Sequence, residues 1–399
     1  MANASRDLTR AERLDWLQLI RTQSIGPVTF RRLVAKYGDA GAALEALPSL
    51  AASAGRKKPF VIASRDSVEA ELAAADAIGA QAIALIEPHY PAILATIADP
   101  PPILYALGHV SLFEKPAVAL VGARNASAVG RKLAADFARG LGEGGYAVVS
   151  GLARGIDGAA HQAALETGTI AVVAGGVDVI YPPEHADLTH EIARAGLVIS
   201  ERPPGTQPTS RDFPRRNRLI SGLSRGVVVV EAAARSGTLI TARMAAEQGR
   251  EVFAAPGSPL DPRCKGSNNL IRDGATLAET AEDIIMALAA QIRGADERER
   301  DGFRLGEFDF EGGGAARDGS RAEEDGEDFD AQDSERVRNA VLDLLSPTPI
   351  HRDDIIRAFD DDARVGPGRI ADALLDLVLS GDAIEEFGGL FSLNPEADA

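Results

Sequence analysis

The sequence predicts an α/β protein with a Rossmann-like, doubly wound and mostly parallel sheet, an N-terminal helical domain and a C-terminal winged-helix domain. Two observations predict the sheet. Between residues 82 and 255, short apolar runs alternate with amphipathic segments, an order typical of strands and helices in a parallel sheet. Most of these runs are apolar at every position, as expected for strands buried on both faces. A third observation, helical spacing of apolar residues before and after this region, predicts the flanking domains.

The N-terminal helical domain is predicted to span residues 1–80. Apolar residues recur at helical spacing around a Ser-Ile-Gly-Pro turn at residues 24–27, such as Leu17 before it and Phe30 and Leu33 after it. This turn is reminiscent of helix-hairpin-helix modules that bind DNA, so the domain is predicted to be of the SAM or helix-hairpin-helix type. Because Gly-Pro turns separate helices in many proteins, we favour a plain helical packing domain over a DNA contact here.

The strands of the central domain are predicted at the apolar runs 117–121, 146–150, 169–174, 197–200, 227–231 and 251–255, with a weaker one at 83–86. The amphipathic segments between them predict helices at 128–143, 156–167, 184–195 and 238–248. Together these elements predict one domain over residues 81–293.

The last part of the chain is predicted to hold a linker and a second small domain. Residues 294–334 are rich in Gly, Asp, Glu and Arg and poor in aliphatic residues, which predicts an acidic disordered linker. Residues 335–399 contain three amphipathic segments and a hairpin signal around Gly388 and Gly389, which predict a winged helix. Its third helix is acidic, and phosphate contact needs the opposite sign, so we favour a protein-interaction or structural role.

The charge is distributed unevenly along the chain. The formal net charge is −17, from 42 basic and 59 acidic residues. The first 290 residues nevertheless hold 30 of each sign. Because the field of a charge decays over about 10 Å at 0.1 M salt, the acidic tail does not exclude nucleic acid as a partner of the first 290 residues.

Composition excludes several classes of protein. A single cysteine, Cys264, excludes a disulfide framework, and the six histidines show no ligand cluster, so no metal and no cofactor are predicted. No apolar run approaches the ~20 residues of a membrane span, and no secretory signal is visible, so a cytoplasmic protein without membrane contact is predicted. No G-x-G-x-x-G follows the first predicted strand and no Walker A sequence occurs, which argues against an NAD-dependent oxidoreductase.

Glycine and polar residues follow four of the predicted strands. The carboxyl ends of parallel strands meet at one edge of a sheet, so these residues are predicted to line one crevice. After the first strand come Gly122, Arg124, whose guanidinium could pair with two phosphate oxygens, and Ser127, which could donate to an anion or cap a helix. The predicted pocket-lining residues at the other strand ends are Ser150, Gly151, Gly175, Gly176, Glu231, Ser236, Gly237, Thr238 and Thr241.

Asp157 and His161 are four residues apart on a predicted helix and could hydrogen-bond to each other. A catalytic interpretation would make His161 a base that Asp157 orients. No Ser or Cys nucleophile is placed beside them by the sequence, so we favour a structural pair that locks the turn.

The most basic segment lies at residues 201–226. Between Arg202 and Arg225 it contains six arginines and one acidic residue, and Phe213 stands among them. Clustered arginines with an aromatic ring are typical of single-stranded nucleic acid binding, in which the arginines contact phosphates and the ring stacks on a base. The alternative is a solvated basic loop with Phe213 as a core anchor; we favour the first interpretation.

Several motifs together resemble those of the DNA-processing protein A family. They are VGARNAS, SGLARGIDGAAH, FPRRNRLISGLS and EAAARSGTLITA, in family order within residues 100–275. The resemblance implies a protein that binds single-stranded DNA, is not an enzyme, forms a homodimer through the Rossmann-like domain, and assists loading of the RecA recombinase during DNA uptake and natural transformation. The DNA-binding residues that it implies are Gly122, Arg124, Ser127, Phe213, Arg216, Asn217 and Arg218. Ala123 departs from the pattern, because family members often have Ser or Thr there.

One enzymatic alternative stays open at this stage. Rossmann-like nucleotide or phosphoribosyl hydrolases also use glycine-rich strand ends and a Ser-Gly-Thr helix start. In that case Asp157 and Glu231 would be the acid–base candidates.

Overall fold

The structure is a computed structural model of the 399-residue chain, and it describes residues 6–53, 60–300, 331–359, 365–386 and 389–394. The chain divides into two compact units. The smaller unit comprises Met1–Ala4, Thr9–Val68 and Leu305–Ala399, and the larger comprises Ser5–Leu8 and Glu69–Arg304. Most of the predicted acidic linker, residues 301–330, lies outside the described residues. The domain limits given above stay a prediction.

The chain opens with four helices: α1 (Arg10–Arg21), α2 (Pro27–Tyr37), α3 (Ala40–Ser53) and α4 (Arg65–Ala77). A capping box of Thr9 and Glu12 starts α1, since the side chain of each residue accepts from the backbone N–H of the other. Pro27 takes the first position of α2, where its missing N–H costs no hydrogen bond. The rings of Trp16 and Phe30, 4.9 Å apart, pack α1 against α2. The predicted N-terminal helical domain is confirmed.

The larger unit is built on a nine-stranded sheet. In chain order its strands are β1 (Gln81–Ala84), β2 (Ile103–Gly108), β3 (Ala117–Val121), β4 (Ala147–Ser150), β5 (Thr169–Val172), β6 (Leu197–Ser200), β7 (Gly226–Val229), β8 (Glu251–Ala254) and β9 (Thr276–Leu277). Their order across the sheet is β1-β2-β6-β5-β4-β3-β7-β8-β9. The seven strands β6, β5, β4, β3, β7, β8 and β9 lie side by side in this order, and each is parallel to its neighbour. Strand β2 is antiparallel to both of its neighbours, β1 and β6. The mostly parallel sheet is therefore confirmed.

Helices cover both faces of this sheet. They are α5 (Ala92–Ala95), α6 (Ala128–Glu143), α7 (Ile156–Ala164), α8 (Ala186–Ala195), α9 (Asp212–Gly222), α10 (Thr238–Glu247), α11 (Lys265–Arg272) and α12 (Ala281–Arg300). Alternate residues of β3 belong to opposite cores: Leu120 packs with Phe137 of α6, and Ala119 with Leu219 of α9. Burial on both faces explains the continuous apolar runs in the sequence.

Strand β2 and helix α9 are among the elements that were not predicted. Strand β2 follows three prolines, and it pairs antiparallel rather than by the β–α–β rule. Helix α9 occupies the basic segment, and Pro214 lies in its first turn. Because Arg216 and Arg218 take buried positions, apolar residues do not recur at helical spacing in this segment. Its helical spacing decides where each arginine points.

The C-terminal part has its own small core. Its elements are α13 (Ala331–Leu344), β10 (Ile350–His351), α14 (Arg352–Arg357), α15 (Pro367–Ser380), β11 (Ala383–Glu386) and β12 (Leu390–Leu393). The strands form an antiparallel sheet in the order β10-β12-β11 and enclose Val341, Leu374 and Phe391. The predicted hairpin is present as the β11–β12 pair, although Gly388 lies outside the described residues. Assignment of these elements to the winged-helix class stays a prediction.

Candidate functional site

A cavity of about 200 Å³ opens at the carboxyl ends of β4 and β5. We call it the crevice. Its lining combines three arginines, two aromatic rings and glycine backbone, namely Arg124, Arg154, Arg216, Tyr181, Phe213, Gly151 and Gly175. Glu184 also lines it, 3.7 Å from the Arg154 guanidinium in an exposed ion pair. The crevice therefore offers positive charge and flat apolar surface at the edge where the sequence predicts a site.

Two rings and one guanidinium form the mouth of the crevice. Phe213 is half-buried in the first turn of α9, and its ring centroid lies 5.3 Å from that of Tyr181. The exposed Arg124 guanidinium lies 5.4 Å from the centroid of the Phe213 ring, which is cation–π geometry. Tyr181 is 47% exposed. A flat ring system entering the crevice would meet a stacking surface with a cation beside it.

Arg216 supplies a buried positive charge to the crevice. Its guanidinium donates to the backbone carbonyls of Gly151, at 2.7 Å, and Val172. Its Nε donates to Oδ1 of half-buried Asn217 over 3.3 Å. Burial lowers the pKa of Arg216 to about 10, and the charge of Asp157 acts in the opposite direction. The group is therefore protonated at neutral pH.

Asp157 holds the turn beneath the crevice. Its buried carboxylate accepts from the backbone N–H groups of Gly151, at 3.1 Å, and Ala153, at 3.3 Å. Between these two residues Leu152 has a φ of 55°, in the left-handed region that non-glycine residues seldom adopt. Burial raises the pKa of Asp157, and Arg216 counteracts that shift. Asp157 thus fixes the backbone that Arg216 contacts.

His161 is buried and bonds to a different partner from Asp157. Its Nδ1 lies 2.7 Å from Thr169 Oγ1, and that hydroxyl donates to the Val148 carbonyl, so Nδ1 carries the proton. Burial, followed by the nearby charges of His185 and Arg216, lowers the pKa of His161 to about 3. The predicted contact between Asp157 and His161 is thus replaced by two separate structural contacts.

Close backbone approach explains two glycines beside the crevice. A Cβ on Gly151 would lie 2.8 Å from the Arg216 guanidinium carbon. Gly155 has a φ of 83°, and a Cβ there would lie 2.2 Å from the Ala123 carbonyl oxygen. The turn that carries Arg124 can therefore lie against the turn after β4 only because residue 155 has no side chain.

Ser127 is used within the protein. Its hydroxyl caps α6 by accepting from the Gly130 N–H at 2.8 Å, and the same hydroxyl donates to the Glu231 carboxylate. The Ser127 N–H donates to the other Glu231 oxygen at 2.9 Å. The helix-cap interpretation of Ser127 therefore replaces the DNA contact. Both oxygens of buried Glu231 are occupied, which removes the observation that favoured it as an acid–base group.

Arg218 does not reach the crevice. It is 2% exposed and forms ion pairs with Asp99, at 3.2 Å, and Glu201. Residues two apart on a helix point about 200° apart, so Arg216 and Arg218 leave α9 on opposite sides. We therefore revise the prediction that Arg218 contacts DNA, because its charge is already neutralised by two carboxylates.

The remaining predicted residues divide between lining and packing. Gly175 lines the crevice, whereas a Cβ on its neighbour Gly176 would meet the Pro203 carbonyl oxygen at 2.7 Å. Ser150 is buried and donates to the Leu120 carbonyl at 2.6 Å.

The predicted residues at the start of α10 bond mainly to one another. Ser236 donates to the Thr238 hydroxyl, and Thr238 donates to the Gly122 carbonyl, both over 3.0 Å. Gly237 is exposed and Thr241 is buried. These hydroxyls join α10 to the end of β3 instead of facing the crevice.

Tyr181 and Arg154 were missed as site residues. Tyr181 lies in the long connection between β5 and α8, outside every helix and strand. The signal that would have found it is an aromatic residue a few positions after the glycine pair that ends β5. In the part of the chain that the structure describes, no group of three or more His, Cys, Asp or Glu side chains could hold a metal ion. Within the same residues, no helix is long and apolar enough to cross a bilayer.

Comparison with known proteins gives two family matches. The family described as DNA recombination-mediator protein A matches residues 81–289, and a DprA-like N-terminal HHH domain matches residues 10–74. The DNA processing protein DprA of Bacillus subtilis is 44% identical over 213 residues, which are 53% of this chain and 72% of that protein. Protein Smf of Escherichia coli is 38% identical over 276 residues, 68% of this chain and 73% of that protein.

A solved structure gives a similar result. The X-ray structure of DNA processing protein A from Streptococcus pneumoniae superposes with a TM-score of 0.61 at 35% identity. The match covers 70% of this chain and 98% of that one. The resemblance seen in the motifs is confirmed.

Proposed function

The chain belongs to the DNA recombination-mediator protein A family, and from this premise we propose that it binds single-stranded DNA in the crevice. The relatives are named DNA processing proteins, which supports DNA as the partner. In the proposal, one base stacks at the mouth of the crevice and the adjoining phosphates contact its arginines. The contact residues that we propose are Arg124, Arg216, Phe213 and Tyr181.

The observation that carries the proposal is the position of Arg124 over Phe213, beside Tyr181 and the buried charge of Arg216. Base–aromatic stacking contributes about 1–3 kcal/mol per base and tolerates any sequence. Bases of a duplex are already stacked on each other, so this surface favours an unpaired strand. Arginine beside a ring can follow the phosphate backbone at the same time.

The test compares single-stranded and duplex oligonucleotides in a fluorescence anisotropy titration of the full chain. We expect oligo(dT) to bind more tightly than duplex, and Arg124→Ala to weaken oligo(dT) binding about 10-fold at low salt. Loss of one phosphate contact should also reduce the slope of log K against log salt by about 0.7. The matched control is Arg139→Ala, an exposed arginine of α6 paired with Asp136. Equal losses in both variants would contradict the proposal.

We extend the proposal to a role in recombination. A family described as a recombination mediator supports assistance in loading a recombinase on the bound strand. The recombinase that we propose is RecA, acting during DNA uptake and natural transformation. The test is RecA-dependent ATP hydrolysis on DNA coated with a single-strand binding protein. Unchanged hydrolysis in the presence of this chain would contradict the loading step while leaving DNA binding intact.

A homodimer through the larger unit is also part of the proposal. Strand β9 is at one edge of the sheet, and its Leu277 is 45% exposed. Met286 of the following helix α12 is 66% exposed. Exposed apolar side chains at a sheet edge support association with a second copy. Light scattering should give a dimer mass for the chain and a monomer mass for Met286→Glu.

We propose no catalytic step for this protein. The two residues that the hydrolase alternative needed, Asp157 and Glu231, each accept hydrogen bonds that hold a turn or a helix start. A cytoplasmic location stays a prediction. Turnover of a nucleotide by the purified chain, abolished by Glu231→Gln, would restore the alternative.

A further inference from the structure

Exposed cations follow three neighbouring strands at the edge of the sheet that holds the crevice. Arg124 comes after β3, Arg235 after β7 and Lys265 after β8. These three strands are adjacent and parallel, so their carboxyl ends lie side by side at intervals of about 5 Å. Within the described residues, none of the three cations forms an ion pair with a carboxylate, so their charges are available to a ligand.

Backbone contacts hold the three connecting loops together. Thr238, the first residue of α10, donates through its hydroxyl to the Gly122 carbonyl over 3.0 Å, which joins the loop after β7 to the end of β3. The N–H of Gly266, the second residue of α11, donates to the Ala232 carbonyl over 2.7 Å, which joins α11 to the same loop. A Cβ on Gly266 would lie 2.7 Å from that oxygen, so a side chain there would push the two segments apart. The three cations thus belong to one continuous surface that begins at the mouth of the crevice.

The charge of this surface is positive. In the three segments that run from the ends of β3, β7 and β8 to the first residue of the next α-helix, four cations stand against two carboxylates. One carboxylate, Glu231, is buried and accepts from Ser127 through both oxygens. The other, Asp261, is paired with Arg263 at 2.7 Å. Because α10 and α11 both begin at this edge, the positive ends of two helix dipoles add to the field of the exposed cations.

The composition of the same segments favours contact with a phosphate backbone over contact with a base. None of them contains an aromatic residue, so beyond the crevice a base would find no ring to stack on. Exposed arginine and lysine side chains contact phosphate oxygens without reading the sequence. On the other side of the crevice, Arg154 is already paired with Glu184. A strand that leaves the crevice therefore meets more positive charge in the direction of β8.

We propose that Arg235 and Lys265 extend the DNA site, so that a strand whose base stacks on Phe213 continues past Arg124 along the carboxyl ends of β7 and β8. The crevice holds one base, and the surface of Arg124, Arg235 and Lys265, which we call the phosphate track, holds the phosphates that follow it. This inference rests on the proposed function, because the stacked base anchors the strand at the start of the track. It adds a direction to that function: the strand crosses the sheet toward β8 and not toward β6.

The test measures oligo(dT) binding to the full chain by anisotropy when Arg235→Ala is combined with Lys265→Ala. We expect the affinity to fall about 10-fold at low salt, and the slope of log K against log salt to decrease by about 1.4, because two phosphate contacts are lost. The matched control combines Lys115→Ala with Arg225→Ala, which removes two exposed cations before β3 and β7, at the opposite edge of the sheet. We expect this control to bind oligo(dT) like the native chain.

Arg124→Ala and Phe213→Leu, measured in the same series, separate this inference from the proposed function. If these two variants lose affinity and the track variant does not, or if the track variant and the control lose equally, the phosphate track is overturned and the crevice remains the DNA site. If no variant loses affinity, both proposals are contradicted. A loss in the track variant alone would also overturn the track, because the strand would then not start from the crevice.

A second measurement uses the native chain and does not depend on the folding of a variant. Acetylation of exposed lysines is followed by mass spectrometry with and without oligo(dT). Bound DNA should protect Lys265 and leave Lys115, before β3 at the opposite edge, as reactive as in the free chain. Protection of neither lysine, or equal protection of both, would contradict the phosphate track.

Discussion

Arg216 and Arg218 leave the same helix in opposite directions, one to the crevice and the other to the carboxylates of buried Asp99 and half-buried Glu201. Arg216 donates to the Gly151 and Val172 carbonyls, whereas Arg218 is paired with Asp99 and Glu201. The two arginines are neighbours in a basic motif, yet their charges serve different purposes. Only the first is available to an arriving anion.

This division predicts different phenotypes. Arg218→Ala removes the cation that pairs with buried Asp99 and half-buried Glu201, and we expect it to lower the free energy of unfolding by about 3–5 kcal/mol. The affinity of the folded fraction for oligo(dT) should be unchanged. Urea unfolding and anisotropy titrations measure the two effects. A stable Arg218→Ala that binds DNA poorly would return Arg218 to the DNA interface.

The ring of Phe213 should be replaceable only by another ring. Phe213→Leu removes stacking, so we expect oligo(dT) affinity to fall about 10-fold, within the 1–3 kcal/mol that one stacked base contributes. Phe213→Trp should retain binding, and its indole fluorescence should be quenched when DNA is added. The native Trp16 is buried against Phe30 and serves as the internal reference. Full binding by Phe213→Leu would contradict the stacking role.

Ser127 should matter for stability and not for binding. Because its hydroxyl caps α6, Ser127→Ala should lower the free energy of unfolding by about 1 kcal/mol. Oligo(dT) affinity should stay within experimental error of the native chain. A loss of affinity without a loss of stability would favour the contact that the motif resemblance implies.

A side chain at Gly155 should displace the turn that carries Arg124, because the two turns lie against each other at this residue. Gly155→Ala places a Cβ against the Ala123 carbonyl at a positive φ. The cost of such backbone strain is about 1–3 kcal/mol. We expect lower stability together with weaker DNA binding, since Arg124 must move. Gly145→Ala is the control: residue 145 also has a positive φ, of 85°, but open space around it, so only stability should fall.

His161 predicts a specific dependence of stability on pH. Its pKa is lowered to about 3 in the folded protein, by burial first, and is about 6.5 in the unfolded chain. Between these two pKa values only the unfolded state binds the proton. The contribution of neutral His161 to the free energy of unfolding is therefore complete above about pH 6.5 and is lost as the pH falls toward 3. We expect protonation of His161 in the unfolded state to lower the free energy of unfolding by about 2 kcal/mol between pH 8 and pH 5.

The measurement is urea unfolding at both pH values for the native chain and for His161→Asn, which keeps a donor for Thr169 and cannot titrate. The loss of stability at low pH should be smaller in the variant by that amount. Parallel pH profiles would show that His161 does not titrate as assigned.

The sequence predicts the sheet and the location of the site better than the contacts within it. Continuous apolar runs are a direct consequence of burial on both faces, so strands such as β3 and β7 were found. Residues at strand ends were also found, because parallel topology places them together. Helix α9 was missed, since buried Arg216 and Arg218 interrupt its apolar period.

Partner choice is a tertiary property that spacing does not reveal. Whether a serine caps a helix or meets a ligand depends on residues far away in the chain. The partner of the Ser127 hydroxyl, for example, is Glu231, which is 104 positions away. Tyr181 joins Phe213 from a connection without any regular pattern. Such contacts require the folded backbone.

The small volume of the crevice has a consequence for the strand that it would hold. Space of about 200 Å³ admits one ring system and little more. In the proposed binding mode, the bases next to the stacked base would stay in solvent, with their Watson–Crick edges unoccupied. A second protein, or a complementary strand, could then bind the DNA close to the stacked base without first displacing this chain.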